Sequence, residues 1–575
     1  MKGITGIMVF SMLLFITGCS QNIKERVADY VPKWGPLVLD NNPPDDCPFK
    51  QSDDIAGIVF TGKSSTLASC DTWYPFWAPD GNLYSSWTDG IIDTCKWTDG
   101  ITGKFHGTGI AKISGNDPLN LKISSLGTYP DPPDQYPGAH FIYKGIWYYS
   151  TYNIGSAFFR GFRYSSDMGL TWTACPYSTE KGLFNESTKD TTGIRIGVPR
   201  VVDFGQDFRH SPDVKVYFTA HGALKPDKLT RMARWWKPDE NLNWLNGDQL
   251  FLFRIQPSPE NINDPKKYEF YCGNDENNNP VWSNNLKNIK PIINWNDRCG
   301  LTSVTYHPVL KKYIFCISYS IGYSGASEYD TYILESDKLT GPYKLVTYWK
   351  RFGTQAYMVN IPSKFISPDG KTAYLWYSAN YTNNFLETHY PSNPPGSRYA
   401  LCVQEIIIAD KQTFEDYRKK ASFEIDDPLL SPDNYALQAV MKTSSFSPEL
   451  WYKIKDARED AANDGIVNGF PDQTYTEWAS DREKEGAWIQ LKWAVPRKIT
   501  KIWLFDRPNL NDQILEARIT TSDGFEFKVG ELPNDAKQAK EICFPEHTVE
   551  WIKLEVLKTS PSTKNIGLSE IAVFK

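Results

Sequence analysis

Acidic, imidazole and guanidinium side chains stand beside aromatic runs in the first half of the chain. They are Asp71, Asp89, His140, Arg200 and Asp203. Paired carboxyl groups transfer protons at a reacting bond, an imidazole exchanges a proton near neutral pH, and a guanidinium holds an anion. These five residues are therefore predicted to be catalytic. The alternative is structural, because aspartates cap turns and buried histidines and arginines satisfy neighbouring groups.

A second set of residues has the chemistry of a binding surface. Aromatic rings stack on flat apolar faces, and hydroxyl, imidazole and ammonium groups supply hydrogen bonds. The residues predicted to contact a substrate are Trp73, Tyr74, Tyr136, His221 and Lys364. The chain holds 20 Trp, 32 Tyr and 30 Phe, so most of its rings must fill the core.

One strand pattern recurs over residues 55–420 and would position these side chains. An aromatic or β-branched run, a tight turn and a second such run appear five times, and the first run of the fifth copy is Ser363–Ile366. The turns, spaced by 64, 68, 98 and 59 residues, lie at Gly81, Gly145, Asp213, Lys311 and Gly370. Four-stranded units at such intervals predict an all-β fold, a five-bladed β-propeller over residues 51–425. Ile55–Phe60 is expected to complete the last blade. A β-sandwich with long insertions is the alternative.

In a propeller the innermost strands converge on one axis, so candidate residues near their starts would face one another. Converging carboxyl, imidazole, guanidinium and aromatic groups are typical of a cleft that processes sugars. Ser165–Trp172 reads S-S-D-M-G-L-T-W and resembles the Asp box of sialidase-like propellers. That resemblance implies a structural turn, and Asp167 has no predicted catalytic role.

The repeated strand pattern ends near residue 425, and a different sequence pattern follows. The sequences Gly486–Leu491, Lys498–Phe505 and Asn565–Val573 resemble strands of discoidin, or F5/8 type C, domains. The resemblance covers about residues 440–575 and implies that residues 436–575 form an eight-stranded jelly-roll whose loops often bind sugars. Trp478, Arg507, Asn509 and Asn511 are the candidate sugar-binding residues, with an Asp506–Arg507 ion pair and asparagine turns as the structural alternative. A structural calcium ion in this domain is compatible with the resemblance.

The N-terminus predicts export. Lys2 precedes the apolar run Ile7–Ile16, and the small pair Thr17-Gly18 precedes Cys19. This arrangement resembles the bacterial lipoprotein box, which implies that residues 1–18 are a cleaved signal peptide and that Cys19 is lipidated. Residues 19–50 are then expected to be a tether. Ser20 is compatible with the outer membrane of a Gram-negative bacterium, on its periplasmic or cell-surface face.

The layout resembles five-bladed propeller glycosidases, among them arabinanases. These use an Asp on the first blade, a second Asp that tunes acidity, and a Glu acid from a middle blade. Asp71 fits the first role by position, but Pro199-Arg200 stands where the Glu is expected. Three functions stay open: a glycoside hydrolase, a polysaccharide lyase with a His or Tyr base, and a non-catalytic glycan-binding protein. No cofactor is required for the chemistry. The small net charge of −6 argues against nucleic acid as a partner.

Overall fold

The computed structural model describes residues 23–30, 33–34, 36–39, 41–68, 70–92, 95–96, 107–130, 135–153, 159–178, 181–184, 193–225, 241–321, 329–353, 355–379, 394, 396–397, 399–420, 425–429, 431–447, 461–467, 469–470, 477–534, 536 and 538–575. The chain divides into two compact units. The larger unit is Lys33–Asp427, and the smaller unit combines Met1–Pro32 with Pro428–Lys575. Over the described ranges, no helix has the length and apolar character needed to cross a membrane.

Short strands come first along the chain. They are β1 (Lys24–Asp29), β2 (Lys33–Trp34), β3 (Leu37–Val38), β4 (Lys50–Gln51) and the longer β5 (Gly57–Thr66).

Within the described part of the larger unit, five antiparallel strand groups then follow one another. The first contains β6 (Phe76–Trp77), β7 (Leu83–Trp87), a small hairpin of β8 (Ile91–Ile92) and β9 (Cys95–Lys96), then β10 (Gly107–Ser114) and β11 (Lys122–Pro130). The second contains β12 (Gln135–Tyr143), β13 (Ile146–Asn153) and β14 (Phe159–Ser165). The third contains β15 (Arg195–Asp203), β16 (Val216–Ala223), β17 (Gln249–Ile255), β18 (Glu269–Asn274) and β19 (Pro280–Ser283), and β20 (Ile293–Asn294) also pairs with β17.

The fourth group contains β21 (Leu301–His307), β22 (Lys312–Ser320), β23 (Tyr329–Ser336) and β24 (Lys344–Trp349), and a short parallel pairing of β21 with β15 joins it to the third group. The fifth contains β25 (Ala356–Asn360), β26 (Thr372–Ala379) and β27 (Cys402–Ala409). Its fourth strand is β5, which pairs with β27 from Gly57↔Ala409 to Thr66↔Cys402. The α-helix α1 (Lys411–Lys420) and the strand β28 (Ile425–Asp426) end the unit.

The smaller unit is a second all-β structure. It contains β29 (Val440–Thr443), β30 (Trp478–Ala479), β31 (Trp488–Phe505), β32 (Ile514–Thr521), β33 (Glu526–Val529), β34 (Gln538–Thr559), β35 (Gly567–Leu568) and β36 (Glu570–Phe574). Its main sheet has the order β29-β31-β34-β32-β33, with β36 on β31 and β1 on β34. The described 3₁₀ helices of the two units are Gln206–Phe208, Pro265–Lys267, Leu286–Asn288, Ser363–Phe365 and Tyr435–Gln438. The prediction of an all-β fold is confirmed.

The two units bury their strands differently. In the larger unit β16 and β23 are buried at every residue, because their sheets are covered on both faces. In the smaller unit β32 and β33 alternate between buried and more exposed residues, so that one face meets the core and the other faces water.

The Asp-box segment forms a self-contained turn after β14. The Asp167 carboxylate accepts hydrogen bonds from the Thr171 backbone N–H at 2.9 Å and the Thr171 hydroxyl at 2.6 Å. These bonds lower the pKa of Asp167 to about 2. Gly169 supplies the positive φ of 91°, and the Trp172 ring lies 5.7 Å from the ring of Trp147. The segment is therefore built as a turn with an aromatic plug.

The segment expected to be a tether contributes strands where it is described. β1 pairs with β34 along its whole length, from Lys24↔Cys543 to Asp29↔Gln538. Farther along, β2 pairs with β28, β3 with β5, and β4 with β24. Unsatisfied backbone groups at sheet edges recruit extended chain, which accounts for these additions to a polar, proline-rich segment.

Candidate functional site

A pocket lies where the first strands of the five groups of the larger unit approach one another. It encloses about 510 Å³, counting the space at its open mouth. The lining residues are Tyr74, Pro75, Phe76, Gly138, Ala139, His140, Arg200, Val201, Asp203, Ser303, Val304, Thr305, Asn360, Ile361 and Pro362. The structure thus brings Tyr74, His140, Arg200 and Asp203 together from three strand groups.

Asp71 precedes Tyr74 by three residues, and its carboxyl group is hydrogen-bonded by hydroxyl groups. Its backbone pairs with Thr88 through hydrogen bonds of 3.0 and 3.1 Å. The carboxyl group accepts hydrogen bonds from the hydroxyls of Thr88 at 2.5 Å and Thr72 at 2.8 Å, and from the hydroxyl of Tyr357. Asp71 is only 1% exposed. Burial raises the pKa of Asp71 although the hydroxyl groups of Thr88, Tyr357 and Thr72 oppose that shift.

Asp89 shares the tyrosines of Asp71. It follows Thr88 directly, and the Tyr399 hydroxyl donates to the Asp89 backbone carbonyl at 2.7 Å. Burial raises the pKa of both Tyr357 and Tyr399, and the charges of Asp71 and Asp89 raise these two pKa values further. The charges of the two carboxyl groups predicted from sequence therefore both raise the pKa values of the same two tyrosines.

Positive backbone angles are concentrated around this carboxyl pair. Thr72 has φ of 66°, Asp89 54°, Gln355 54° and Met358 56°. The value at Thr72 is the most unfavourable, since a β-branched residue is rarely left-handed. Such strain persists only where the surroundings enforce it, and it is frequent in functional sites.

Arg200 and His140 are the buried basic residues of the pocket. Arg200 is 2% exposed, and its Nη1 donates to the carbonyls of Pro137 at 3.0 Å and Gly138 at 2.8 Å. Its guanidinium carbon lies 3.6 Å from the centre of the Tyr74 ring, a cation–π contact. The Nε2 of His140 accepts a hydrogen bond from the Ser86 backbone N–H. Burial, and then the charge of Arg200, lower the pKa of His140 to about 3, so its ring is neutral.

Tyr152 links the pocket to the carboxyl pair. Burial raises its pKa, and the charges of Arg200, Asp71 and Asp89 all act on its hydroxyl. Tyr136 lies beside it, with 6.3 Å between the two ring centres.

The side chains of Asp203 and Lys364 are both hydrogen-bonded to other parts of the larger unit. Asp203 accepts hydrogen bonds from the Ser363 hydroxyl at 2.7 Å and the Ser363 backbone N–H at 2.8 Å. The Lys364 ammonium donates to the carbonyls of Gly81 at 2.9 Å and Gly115 at 2.8 Å, and Lys364 is not a lining residue of the pocket. These contacts differ from the expectation that Lys364 meets substrate, because its charge holds two loops together.

Trp73 and His221 also lie in the core rather than on a binding surface. Trp73 is fully buried, and its indole N–H donates to the Cys70 carbonyl at 2.8 Å. The Nε2 of His221 is 3.0 Å from the Asn243 carbonyl, and burial lowers the pKa of His221 to about 4. Both side chains have the environment expected of structural residues.

In the smaller unit, Arg507 is ion-paired, as its structural alternative requires, but with Glu477 and Asp512 in place of Asp506. Its Nε and Nη2 donate to the two carboxylate oxygens of Glu477 at 2.9 and 2.7 Å, and its Nη1 donates to Asp512 at 2.7 Å. The expected partner Asp506 instead accepts the backbone N–H groups of Arg507 and Ile514. Arg507 is thus a buried structural hub.

The other candidate residues of the smaller unit are also engaged. Asn509 donates to Asp512 at 2.7 Å, and the Asn511 side chain donates to Asn509 at 3.4 Å. Trp478 is fully buried, and its indole N–H donates to the Ser445 carbonyl at 3.0 Å. The two asparagines shape a turn, and Trp478 is part of the core.

A group of buried oxygen atoms in the smaller unit has the character of a cation site. Glu570 is fully buried, and its Oε2 accepts the Gly465 N–H at 3.2 Å while its Oε1 has no hydrogen-bond partner. The charge of Asp464 acts on the same carboxyl group, and the Oδ1 of Asn463 also has no partner. Among described residues no three His, Cys, Asp or Glu side chains form a group that could hold a metal ion, so this candidate consists of the carboxyl groups of Glu570 and Asp464 alone. Hard oxygen ligands of this kind fit calcium.

Sequence reasoning missed Tyr357 and Tyr399, the tyrosines that contact Asp71 and Asp89. Tyr357 lies at the start of β25, which is the first strand of the fifth group. The rule that sites lie at the starts of first strands would have found it. The error was to place that strand at Ser363–Ile366, where the structure has the 3₁₀ helix Ser363–Phe365. Cys19 and the signal peptide lie outside the described residues.

Comparisons with known proteins give one family match and several similar structures. No curated protein sequence matches the chain. One similar structure is titled "Glycoside hydrolase"; it is 11% identical, covers 88% of this chain and 98% of its own, and has a TM-score of 0.35. A family 32 CBM from C. perfringens NanJ in complex with galactose is 18% identical, with coverages of 24% and 96% and a TM-score of 0.20. A Streptococcus pneumoniae fucose binding module is 16% identical, with coverages of 24% and 94% and a TM-score of 0.20. Residues 434–574 match a family model described as a domain of unknown function, DUF7402.

Proposed function

We propose that the larger unit is a five-bladed propeller that hydrolyses a glycosidic bond in a complex polysaccharide. Asp71 and Asp89 are the two carboxyl groups that this reaction requires. Asp71 donates a proton to the glycosidic oxygen as its bond to the anomeric carbon breaks, and a water molecule gives its hydroxyl group to that carbon and its proton to Asp89. The observation that carries the proposal is the buried Asp71, whose raised pKa keeps its proton available, beside a second carboxyl group on the same tyrosines.

The lyase alternative with a histidine base has less support from the contacts. A lyase needs a base that removes a carbon-bound proton. The Nε2 of His140 already accepts the Ser86 N–H, and His221 is engaged with the Asn243 carbonyl. Neither histidine therefore offers a free basic nitrogen of ordinary pKa.

The remaining parts of the proposal concern location and substrate capture. Cys19 carries a lipid anchor at the outer membrane, and the smaller unit is a discoidin-like jelly-roll that binds glycan. Linking a binding module to a catalytic one raises the effective substrate concentration without new contacts in the active site. A calcium ion held by Glu570 and Asp464 would stabilise the smaller unit, and the hydrolysis needs no cofactor.

The test is an activity screen of the purified protein on plant, algal and bacterial glycans, read by new reducing ends and by unsaturated uronates. We expect reducing ends without unsaturated uronates, and losses of at least about 100-fold in D71N and D89N. D80N is the matched control, because Asp80 is an exposed turn residue of the same strand group. Wild-type rates in both variants, or unsaturated products, would overturn the proposal. Binding without cleavage of any glycan would also overturn it and would favour a glycan-binding protein.

A further inference from the structure

Arg200 is a buried cation without an anionic partner in the described part of the chain. Its Nη1 is satisfied by two carbonyl groups, but its Nε and Nη2 have no hydrogen-bond partner. No salt bridge joins Arg200 to a carboxylate of any described residue. A guanidinium taken out of water without a counter-charge costs stability, and a buried ionisable group that lines a cleft is a candidate for a functional site.

The two nitrogens without partners are the pair that grips a carboxylate. Arg507 shows this in the same protein, because its Nε and Nη2 hold the two oxygens of Glu477 at 2.9 and 2.7 Å. The fork is planar and matches two oxygens of one carboxylate. In Arg200 the same edge belongs to a residue that lines the pocket.

The groups around Arg200 are also hydrogen-bond donors. The hydroxyls of Tyr74 and Tyr152 are buried without a hydrogen-bond partner. Tyr74 stacks on Arg200, and the charge of Arg200 acts on Tyr152. A site with an unpaired cation and two hydroxyl donors recognises an anionic acceptor.

We propose that the pocket binds the carboxylate of a uronic acid, so that the substrate is an acidic glycan. Arg200 grips the carboxylate through Nε and Nη2, and the hydroxyls of Tyr74 and Tyr152 complete its hydrogen bonds. This inference rests on the proposed function for the glycan itself. The carboxylate is set beside Asp71 and Asp89, whose charges reach the same Tyr152 hydroxyl.

The experiment measures binding and cleavage of oligogalacturonides and alginate oligosaccharides by the full chain, against the same oligosaccharides with their carboxyl groups reduced. Free acetate and free galacturonate are separate probes. We expect the acidic forms to bind at least tenfold tighter than the reduced forms, and R200K to lose that preference because an ammonium lacks the planar fork. Y152F keeps the ring and the charge and should weaken acidic ligands only. It serves as the second variant should R200K fold poorly.

The outcomes separate this inference from the proposed function. Equal binding of acidic and reduced forms by wild type, or unchanged preference in both R200K and Y152F, overturns the acidic substrate. Acetate binding as tight as oligosaccharide binding also overturns it, since the site would then be one for small anions. Cleavage of a neutral glycan that needs Asp71 but not Arg200 overturns this inference alone. An acidic preference that needs Arg200, with full cleavage by D71N and D89N, supports the inference and overturns the proposed roles of the two aspartates.

Discussion

At the residue scale, burial decides the charge state of the groups around the pocket. His140 is 3% exposed and His221 is 1% exposed, and burial lowers the pKa of the first to about 3 and of the second to about 4. Between pH 6.5 and about 4, both imidazoles therefore stay neutral in the folded protein, whereas those of the unfolded chain bind protons. The polar interior of the larger unit is therefore built for neutral histidines.

We predict that the larger unit loses stability as the pH falls. The folded pKa of His140 lies below its ordinary value of 6.5, so the unfolded chain binds the proton first. The stability from this histidine is complete above pH 6.5 and falls between 6.5 and about 3, by up to about 1.4 kcal/mol per pH unit. Denaturation of H140Q between pH 7 and 4 should show a flatter dependence. H210Q, at an exposed histidine, should keep the wild-type slope. An equally steep slope in H140Q would contradict the prediction.

The sequence predicted the roles of residues whose partners lie near them along the chain, but not of residues whose partners are far away along the chain. Asp71 and Asp89 were found because both border one hairpin, and the structure joins them through the Asp71–Thr88 backbone pair. Tyr357 contacts Asp71 across 286 positions, a separation at which no spacing rule operates. Likewise Arg507 finds Glu477 rather than its neighbour Asp506, so its structural role emerged only from the folded contacts.

At the element scale, β5 joins the beginning of the larger unit to its end. The strand precedes every group, yet it pairs with β27 as the fourth strand of the fifth group. Phe60 on β5 is fully buried and packs against Trp349 at 5.2 Å and Phe352 at 6.2 Å. The pairing and this aromatic cluster make the stability of the unit depend on a segment far from most of it in sequence.

F60A is expected to destabilise the larger unit by about 3–5 kcal/mol, the usual cost of removing a buried phenylalanine. Calorimetry should show the transition of that unit moving down while the transition of the smaller unit stays in place. K63A is the matched control, since Lys63 is an exposed residue of the same strand in a surface ion pair worth about 1 kcal/mol at most. A comparable loss in K63A, or none in F60A, would argue against a closing role for β5.

The strand pattern itself was readable because turns and aromatic runs are local signals. Gly81, Gly145 and Gly370 all have positive φ at the expected hairpin turns. The inner strand of the fifth group was misplaced because Ser363–Ile366 carries apolar residues but follows Pro362, and the chain there forms a 3₁₀ helix. The pairing of β1 with β34 had no sequence signal, because β1 is a polar strand added to an edge.

At the scale of the whole molecule, the chain combines two units with different sources of stability. The larger unit depends on sheets covered on both faces, whereas the smaller unit buries one face and a polar network around Arg507 and Glu570. Burial, and then the charge of Asp464, raise the pKa of Glu570 well above its ordinary value, and a bound calcium ion would oppose both effects.

Chelation of calcium is therefore expected to lower the melting temperature of the smaller unit only. At a free calcium concentration about 100 times the dissociation constant, binding contributes about 2.7 kcal/mol to the unit. Scanning calorimetry with EDTA and then with excess calcium should show the transition fall and recover, and E570Q should no longer respond. A wild-type transition that is indifferent to both treatments would contradict the calcium site.

Because β1 pairs with β34, only a short stretch of chain separates the smaller unit from the proposed lipid anchor at Cys19. Lys24 opens β1 five residues after Cys19, and an extended chain covers at most about 3.6 Å per residue. An acylated Cys19 would consequently hold the smaller unit within about 18 Å of the lipid headgroups. A module kept so close samples only the polymer that reaches the membrane surface. Anchored in this way, the protein would act on glycan that reaches the membrane surface and would not diffuse through the medium to find it.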